Sequence, residues 1–389
     1  MMKSALIVTC FDSYSYDVRV KYVETVLKNL DYKTRVLTAD FEHRNKCQYN
    51  VARDNITLIH VPRYAKNLSC KRMYSHFKFA QKIYKFLKNS HLDLIYVATP
   101  PNFLFYYLNK YKRAGGTAKI IFDVGDMWPE TFPISNKKKR LIALFFKIWI
   151  SIRNKNIKCA DGIIYECDLF EKYLKKNTKN IYSSTIYLCK EDRLGGKIEI
   201  KNKGNIEILR FAYIGSINNI IDIDLIVKFL ECVNRKKTCE LTIIGGGENA
   251  EYLKSNCMNK GITVVDYGIV YDDNKKREIL QECQFGFNIM KESVFVGATM
   301  KSLEYFYWGI ALVNNIPADT TKILEKYRCG ININTANCQE IANKICEMEG
   351  KEIIEICENA RHVYECIFSK EVIINQLQKF FKEIISNIN

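Results

Sequence analysis

At 389 residues the chain exceeds the size at which one hydrophobic core usually stops growing, so its length favours two domains. Hydrophobic residues make up 48% of the sequence, against only 6 Pro and 18 Gly, which excludes a disordered, low-complexity or collagen-like chain. The formal net charge of +16 points to an anionic partner: nucleic acid, a membrane surface or a phosphorylated substrate.

Strand and helix patterns alternate through the first half of the chain. Ser4 to Cys10 is a β-branched apolar run of strand length, and apolar residues recur at helical spacing from Val18 to Leu30. The alternation continues with strands near residues 35–38, 57–61, 94–98, 119–123 and 162–166 and helices near residues 74–89, 102–113 and 141–154. Repeated strand–helix units predict a parallel sheet with helices on both faces.

A polar, glycine-containing stretch at residues 191–208 separates this half from a second series of the same kind, and we interpret it as a linker. Strands are then predicted near residues 209–214, 241–244, 262–267, 286–289 and 311–314, and three helices close the chain without further strand signal. The fold class is therefore α/β with two Rossmann-like, doubly wound domains. The first spans residues 1–190, the second spans residues 209–368, and a C-terminal helix follows at residues 369–389.

Two further features concern the compartment. No apolar run approaches the roughly 20 residues of a spanning helix, and the N-terminus lacks a signal-peptide layout. The 15 cysteines are scattered singly without a C-x-x-C pair, which indicates reduced, mostly buried residues rather than a zinc or redox site. We expect a cytoplasmic protein that does not span a membrane.

The positive charge is concentrated in the first half. Residues 1–190 carry 34 Lys and Arg against 15 Asp and Glu, whereas the remainder carries 25 against 28. The segment Lys137 to Lys158 holds eight basic and no acidic residues around an apolar run that includes Trp149. A helix there would place aromatic rings at headgroup depth beside an anionic leaflet, and the alternative is a core helix with solvated ends. Nucleic acid is disfavoured, because no binding motif for it accompanies the charge.

Ligands of doubly wound sheets bind beyond the carboxyl ends of the strands, so residues that follow strands are the candidate site. In the second half these include Gly215 and Gly245 to Gly247, which are either structural turn residues or let backbone amides approach a phosphate or ribose. Lys301 and Glu304 lie three apart at the start of a predicted helix. A carboxylate can accept both hydrogen bonds of a ribose diol, and a lysine at a helix N-terminus can hold a diphosphate. The alternative is a surface salt bridge between the two.

In the first half, Asp123, Asp126 and Glu130 surround Trp128 at the end of the fifth strand. Such a cluster can orient sugar hydroxyls or act as acid and base, with the tryptophan ring against a pyranose, although Asp123 can instead cap the turn. The loop after the first strand adds charged residues that we expect to face the same cleft, of which Asp17 equally suits a helix N-cap. These residues are Asp12, Asp17 and Arg19.

These motifs resemble those of the bacterial GT-B glycosyltransferases of the family 4 type, which build surface polysaccharides such as capsule and lipopolysaccharide from nucleotide sugars. The segments that carry the resemblance are FDVGDMWPE at residues 122–130, FAYIGS at 211–216, LTIIGGGEN at 241–249 and KSLEYFYWGIALV at 301–313. The resemblance implies two Rossmann-like domains facing a cleft, no metal cofactor and retention of the anomeric configuration, with positive charge and helix dipoles stabilising the leaving group.

The resemblance also implies roles for single residues. Glu304 would bind the donor ribose, Lys301 would lie near the diphosphate, and the catalytic residues would be Asp126, Lys301 and Glu130. Further residues of the donor pocket would be Gly215, Ser216, Gly245, Gly246, Gly247, Val270 and Tyr305, and those of the acceptor side or cleft would be Asp12, Asp17, Arg19 and Trp128. The helix after Ser369 would brace the first domain.

Two departures from the family pattern bear on activity. Val296 stands where members often carry an acidic residue, and residues 216–220 lack the usual Arg or Lys. Either Lys301, with Lys291, replaces the usual diphosphate clamp, or the protein is slow or inactive.

The resemblance leads us to expect a retaining glycosyltransferase that moves a sugar from a UDP-sugar to a lipid-linked or polysaccharide acceptor at the inner face of the cell membrane. One alternative is a degenerate, non-catalytic scaffold on that membrane. The other is a sugar-nucleotide 2-epimerase, which lacks support because the five histidines form no recognisable set with acidic residues for proton abstraction.

Overall fold

The computed structural model describes residues 3–11, 18–43, 45–49, 54–67, 69–132, 143–195 and 198–386. Contacts divide the chain into two compact units, one of Met1–Leu188 with Ile373–Asn389 and one of Cys189–Val372. Each unit contains a parallel sheet with helices connecting its strands, so the α/β fold class predicted from the alternating pattern is confirmed.

The first unit is built on a seven-stranded parallel sheet of order β5-β2-β1-β6-β7-β8-β9. Its strands are β1 (Lys3–Thr9), β2 (Tyr32–Ala39), β5 (Ile56–Ile59), β6 (Leu94–Thr99), β7 (Lys119–Val124), β8 (Gly162–Tyr165) and β9 (Tyr182–Thr185). A separate antiparallel hairpin pairs β3 (Phe41–Glu42) with β4 (Cys47–Gln48). The central strands are apolar on both faces because helices cover both sides of the sheet.

The described residues of this unit form the helices α1 (Val18–Asn29), α2 (Cys70–Leu87), α3 (Phe103–Arg113), α4 (Ala143–Asn156), α5 (Asp168–Thr178) and α13 (Lys370–Ser386). The last of them packs directly on β8, where a Cβ at Gly162 would lie 2.6 Å from Ile384 Cδ1. Lys119 Nζ also donates to the Ile384 carbonyl at 2.6 Å. The C-terminal helix is therefore an integral part of the first unit.

The second unit contains a six-stranded parallel sheet of order β12-β11-β10-β13-β14-β15. Its strands are β10 (Leu209–Ser216), β11 (Cys239–Gly246), β12 (Thr263–Asp266), β13 (Phe285–Asn288), β14 (Ala311–Asn314) and β15 (Gly330–Asn332). Its helices are α6 (Ile223–Asn234), α7 (Ala250–Asn259), α8 (Asp273–Leu280), α9 (Met300–Tyr307), α10 (Asp319–Tyr327), α11 (Cys338–Glu347) and α12 (Gly350–Val363). The expectation of no strand beyond residue 314 is wrong, because β15 is a half-buried edge strand of three residues, too short to show a pattern.

Residues 191–208 belong to the second unit instead of forming a free linker. Lys203 is fully buried and its ammonium donates to the Leu280 carbonyl at 2.9 Å and the Cys283 carbonyl at 2.6 Å. Tyr307 donates its hydroxyl to Asp192 Oδ1 at 2.8 Å. Many of its other described residues are exposed, so the contacts of Lys203 and Asp192, and not general burial, attach this polar stretch to the unit.

In each sheet the strand order reverses beside the first strand of the unit. β1 lies between β2 and β6, and β10 lies between β11 and β13. Beyond the carboxyl ends of the strands at such a reversal, the connecting loops diverge to opposite faces and leave room for a ligand. The residues that follow β10 and β11 are therefore placed to form a site in the second unit.

Candidate functional site

The ends of β10 and β11 come together through glycines. Gly215 pairs with Gly245 and Ser216 with Gly246 in the parallel register. A Cβ at Gly245 would lie 2.0 Å from the Gly215 carbonyl oxygen, which no side chain could tolerate. Gly215 itself has a φ of +102°, a conformation that favours glycine. Gly245 is thus required by the close approach of the two backbones and Gly215 by its backbone conformation, while Ser216 is exposed at the strand end.

Helix α9 follows β13 and starts with a capping box. The Thr299 hydroxyl accepts a hydrogen bond from Ser302 N at 3.0 Å and donates to Asn288 Oδ1 at 2.7 Å, which ties the start of the helix to the end of β13. Leu303 and Phe306 are buried, whereas Met300 is 55% exposed.

Lys301, in the first turn of α9, lies against the end of β10. Its Nζ donates to the Tyr213 hydroxyl and lies 4.2 Å from the centroid of that ring. Among the residues that the structure describes, no carboxylate comes within 4 Å of this ammonium. Burial lowers the pKa of Lys301 from 10.5 to about 7. The position is that of a desolvated cation without a counter-ion, next to glycine backbone.

Glu304 lies one turn further along α9 and does not pair with Lys301. Its Oε1 accepts from Lys276 Nζ at 3.1 Å and from Trp308 Nε1 at 3.1 Å, and its Oε2 lies 3.2 Å from Lys190 Nζ. The side chain is only 14% exposed. Burial opposes ionisation of Glu304, but the charges of Lys190 and Lys276 outweigh burial and hold its pKa below the ordinary value.

Asp273 completes a four-charge cluster, which we define as Lys190, Asp273, Lys276 and Glu304. Asp273 Oδ1 lies 3.2 Å from Lys190 Nζ and 3.8 Å from Lys276 Nζ. Two carboxylates and two ammonium groups balance one another, so neither lysine supplies uncompensated positive charge. A ribose diol would reach the Glu304 carboxylate by replacing one of these lysine contacts.

The remaining residues predicted for the donor pocket have different surroundings. Tyr305 is fully buried and its hydroxyl donates to the Ala212 carbonyl at 3.0 Å and accepts from Ile214 N at 2.9 Å. This geometry corrects its assignment, because the side chain braces α9 against β10 and presents no group to a ligand. Val270 is half-buried in the loop after β12, whose neighbours Ile269 and Tyr271 are 66% and 83% exposed.

In the first unit, Asp126 follows β7. Its Oδ2 accepts from Trp128 Nε1 at 2.6 Å and its Oδ1 accepts from the Thr131 hydroxyl. Burial raises the pKa of Asp126 above its ordinary value, and these hydrogen bonds only partly offset that effect. A carboxyl group with a raised pKa suits proton transfer near neutral pH.

Trp128 is packed rather than presented to a sugar. It is 8% exposed, the Arg72 guanidinium lies 4.3 Å from its ring centroid, and the His76 ring stacks on it at 5.6 Å. Phe11 and Trp149 also contact it. The prediction of an open ring face for a pyranose is wrong, because aromatic neighbours and a guanidinium already occupy the surroundings of the ring.

Glu130 and Arg19 form buried ion pairs. Glu130 binds Arg153 through two hydrogen bonds of 2.9 and 2.6 Å, and Arg153 is 1% exposed. Arg19 is buried beside Asp123, with 3.6 Å between Nε and Oδ2. These pairings correct both assignments, since each charge is neutralised inside the fold and neither is presented to an acceptor. The other two residues predicted near the first strand, Asp12 and Asp17, lie outside the described residues.

No protein-family model and no curated protein matches this sequence. Solved structures match its fold over the whole chain. Sucrose-phosphate synthase from Thermosynechococcus elongatus has a TM-score of 0.72 at 11% identity, with 99% of this chain and 100% of that chain covered. Anabaena HepE in complex with UDP and glucose has a TM-score of 0.64 at 11% identity, with the same coverage. The lipopolysaccharide outer core galactosyltransferase WaaB has a TM-score of 0.63 at 14% identity, with 99% of each chain covered.

The chain has a GT-B fold. At 11–14% identity the likeness establishes the architecture and does not by itself assign a role to any residue of this chain. What this GT-B protein can bind is therefore decided by its own side chains.

Several residues of the site have no recognisable signal in the sequence. Lys190, Asp273 and Lys276 surround Glu304, and Tyr213 holds Lys301. Lys190 lies in an irregular segment before β10. Asp273 and Lys276 lie in α8, whose charge-rich sequence is typical of a solvent-exposed helix. No local pattern separates such lysines from others in a chain with 59 Lys and Arg.

Proposed function

We propose that this GT-B protein is a glycosyltransferase that takes a sugar from a UDP-sugar and retains its anomeric configuration. The observation that carries the proposal is Lys301, a desolvated lysine with no carboxylate within 4 Å among the described residues, beside the glycine ends of β10 and β11. Burying a cation without a counter-ion is costly, and a diphosphate would supply the missing charge.

Glu304 provides the second contact of the proposed donor. It lies one helical turn, about 5 Å, from Lys301 along α9, a spacing compatible with the distance between a nucleotide's ribose and its phosphates. Lys190 and Lys276 keep its carboxylate ionised, so it can accept hydrogen bonds from a ribose diol. We assign the base to the loop around Val270, where the exposed Ile269 and Tyr271 offer apolar surface.

The proposed reaction breaks the bond between the anomeric carbon and the donor phosphate oxygen and forms a bond to an acceptor hydroxyl oxygen. UDP leaves with the bonding electron pair, and Lys301 with the N-terminus of α9 stabilises the negative charge that develops on it. Asp126, whose pKa burial raises, is our candidate to take the proton of the acceptor hydroxyl. We propose that no metal ion takes part.

Calorimetry with UDP, UMP and a panel of nucleotide sugars tests this proposal. We expect UDP to bind, UMP to bind about tenfold more weakly because it lacks the phosphate assigned to Lys301, and GDP to bind weakly. EDTA should leave the UDP affinity unchanged. Absence of any nucleotide binding would reject the glycosyltransferase proposal in favour of a non-catalytic scaffold, and conversion of a UDP-sugar to its epimer without an acceptor would favour the epimerase.

We further propose that the acceptor is lipid-linked and that α4 binds the anionic membrane surface on which it lies. This helix exposes Leu144, Phe145 and Ile148 by 74%, 45% and 54%. Lys147 is exposed on the same helix. We propose that the contact is peripheral, through this exposed apolar face. No helix within the described ranges is long and apolar enough to cross a bilayer.

The structure changes the membrane prediction in two respects. Trp149 is 2% exposed and packs on Trp128 and Phe132, so it is not available at headgroup depth. Arg153 is bound to Glu130 and is not available to lipid. The basic run from Lys137 to Arg140 lies outside the described residues.

Vesicle co-sedimentation tests the membrane contact. Replacing Leu144, Phe145 and Ile148 together with serine should reduce binding to vesicles containing phosphatidylglycerol more than tenfold, because each apolar side chain buried in lipid contributes about 1.5–3 kcal/mol. The matched control is replacement of Tyr252 and Met258, exposed apolar residues on α7, which should change nothing. Equal binding of the unsubstituted protein to phosphatidylcholine vesicles would contradict the electrostatic part of the proposal.

A further inference from the structure

Tyr213 is a buried tyrosine whose hydroxyl has a fixed orientation. It lies in β10, near the strand's carboxyl end, with no exposed surface, and its hydroxyl donates to the Ser216 carbonyl at 3.0 Å. Because the one proton of the hydroxyl is used in this bond, only the oxygen lone pairs remain for another partner. The tyrosine can therefore act toward its other neighbour only as an acceptor.

That other neighbour is Lys301. The lysine Nζ donates to the Tyr213 oxygen and also lies 4.2 Å from the centroid of the ring. An ammonium near an aromatic face is attracted by the negative charge density of the ring. Both contacts come from one side chain, and both favour the charged form of the lysine.

The stem of Lys301 is confined as well. A Cβ at Gly215 would lie 3.4 Å from Lys301 Cε, so the lysine chain runs over the glycine at the end of the same strand. Tyr213 and Gly215 together set where the ammonium can lie, two residues apart on β10.

Other charged and titratable groups near Lys301 are occupied elsewhere. Glu304 on α9 binds Lys190, Lys276 and Trp308, and the Tyr305 hydroxyl binds backbone of β10. Within the described part of the chain, Tyr213 is thus the titratable side chain that contacts the ammonium. Burial lowers the pKa of Lys301 to about 7, so a modest loss of stabilisation would discharge it near neutral pH.

We propose that Tyr213 is a positioning residue that holds Lys301 in place and in its ammonium form for the phosphates of the donor. The proposal rests on the proposed function for the identity of the ligand, but the pairing of the two side chains is independent of it. Donor binding by such a lysine takes up a proton when the free amine is partly neutral, so donor affinity falls as pH rises through the range where Lys301 titrates.

The test compares the natural protein with Tyr213→Phe, which keeps the ring and removes the hydroxyl. Competitive acetylation with acetic anhydride, followed by mass spectrometry, measures the pH midpoint of Lys301 in the protein without ligand. We expect the midpoint in Tyr213→Phe to lie about one pH unit lower, because the hydrogen bond to the charged form is lost. An unchanged midpoint would overturn the proposal.

Calorimetry with UDP over pH 6 to 9 gives the second readout. With a midpoint about one pH unit lower, the UDP affinity of Tyr213→Phe should fall about tenfold at pH 8 and less than about twofold at pH 6, where about half or more of the lysine is charged in both proteins. A loss of equal size at every pH would point to a merely structural role and would also overturn the proposal. If the natural protein bound no UDP while the acetylation midpoint shifted, the glycosyltransferase proposal would fail and the Tyr213–Lys301 pairing would stand.

Tyr165→Phe is the matched control. Tyr165 is likewise fully buried, and its hydroxyl donates to Thr178 Oγ1 at 3.0 Å in the first unit. Removing that hydroxyl should leave both the acetylation midpoint of Lys301 and the pH profile of UDP affinity unchanged. Thermal melts should show a loss of stability in both variants, because Tyr165→Phe removes the hydrogen bond to Thr178 and Tyr213→Phe removes those to Ser216 and from Lys301.

Discussion

Replacing Lys301 with methionine should reduce UDP affinity about 100-fold while making the empty protein more stable. The ammonium contributes a charge-assisted contact to the proposed diphosphate, and its loss removes that contact entirely. In the empty protein the same ammonium is desolvated without a counter-ion, and a methionine of similar length fills the space at no such cost. Calorimetry with UDP and chemical denaturation measure the two effects.

The stabilising effect of Lys301→Met should depend on pH. The pKa of Lys301 is lowered from 10.5 to about 7 on folding, so between these pH values the unfolded chain binds one more proton than the native protein. The free energy of unfolding should therefore rise with pH across this window, and the rise should be missing in Lys301→Met. The stabilising effect of the substitution should be largest below pH 7.

An exposed lysine provides the control for the change of net charge. Lys344→Met, on α11, should alter neither UDP affinity nor the pH dependence of stability. If Lys301→Met bound UDP as tightly as the natural protein, the proposal that Lys301 contacts the diphosphate would be wrong. A less stable Lys301→Met protein would show that the ammonium has a structural role that its contacts do not reveal.

Replacing Glu304 with glutamine should reduce sugar transfer about 100-fold or more and also destabilise the protein by about 2–3 kcal/mol. The amide can accept fewer hydrogen bonds from a ribose diol, and Lys190 and Lys276 are left to share the single carboxylate of Asp273. Glu304 and both lysines are less than a fifth exposed, so solvent compensates little of the loss. A transfer assay with a UDP-sugar measures the loss of activity, and urea unfolding measures the loss of stability.

Unfolding measured over a range of acid pH separates the contribution of Glu304 to stability from its role in sugar transfer. The pKa of Glu304 lies below its ordinary 4.5, so the stability it contributes is complete above that value and is lost as pH falls through the lower native pKa. Glu304→Gln should lack this acid-sensitive component.

Asp273→Asn removes a carboxylate from the same four-charge cluster without touching the proposed ribose ligand. We expect it to destabilise the protein by a similar amount and to leave the KM for the UDP-sugar within about threefold of the natural value. If Asp273→Asn impaired transfer as strongly as Glu304→Gln, the effect of Glu304 would be a consequence of cluster stability and not of ribose binding.

The helices and strands of this fold were largely predictable because most of them have a characteristic spacing of apolar residues within one segment. The β-branched run at β1 and the apolar spacing of α1 each follow from a single chain segment burying one or both of its faces. The short edge strand β15 and the packed stretch around Lys203 were not predictable, because neither depends on a repeating apolar pattern.

The candidate site was predictable only in part. Lys301 and Glu304 could be found because residues three apart on one helix project from the same side. The predictions that Trp128 offers a ring face to a sugar and that Glu130 is a catalytic carboxylate were wrong. Arg72 from α2 lies against the Trp128 ring, and Arg153 from α4 binds Glu130. A motif shows which groups exist at a position and not which partners already satisfy them.

The amino-acid sequence by itself therefore determined the two α/β halves, the glycines at the ends of β10 and β11, and the uneven distribution of charge. Only the tertiary structure decided that Glu304 is held by two lysines, that Lys301 has a tyrosine in place of a carboxylate, and that Trp149 is buried. The reason is physical: secondary structure follows from the spacing of apolar residues along one segment, whereas the state of a charged side chain follows from which distant segments bring partners or exclude water around it.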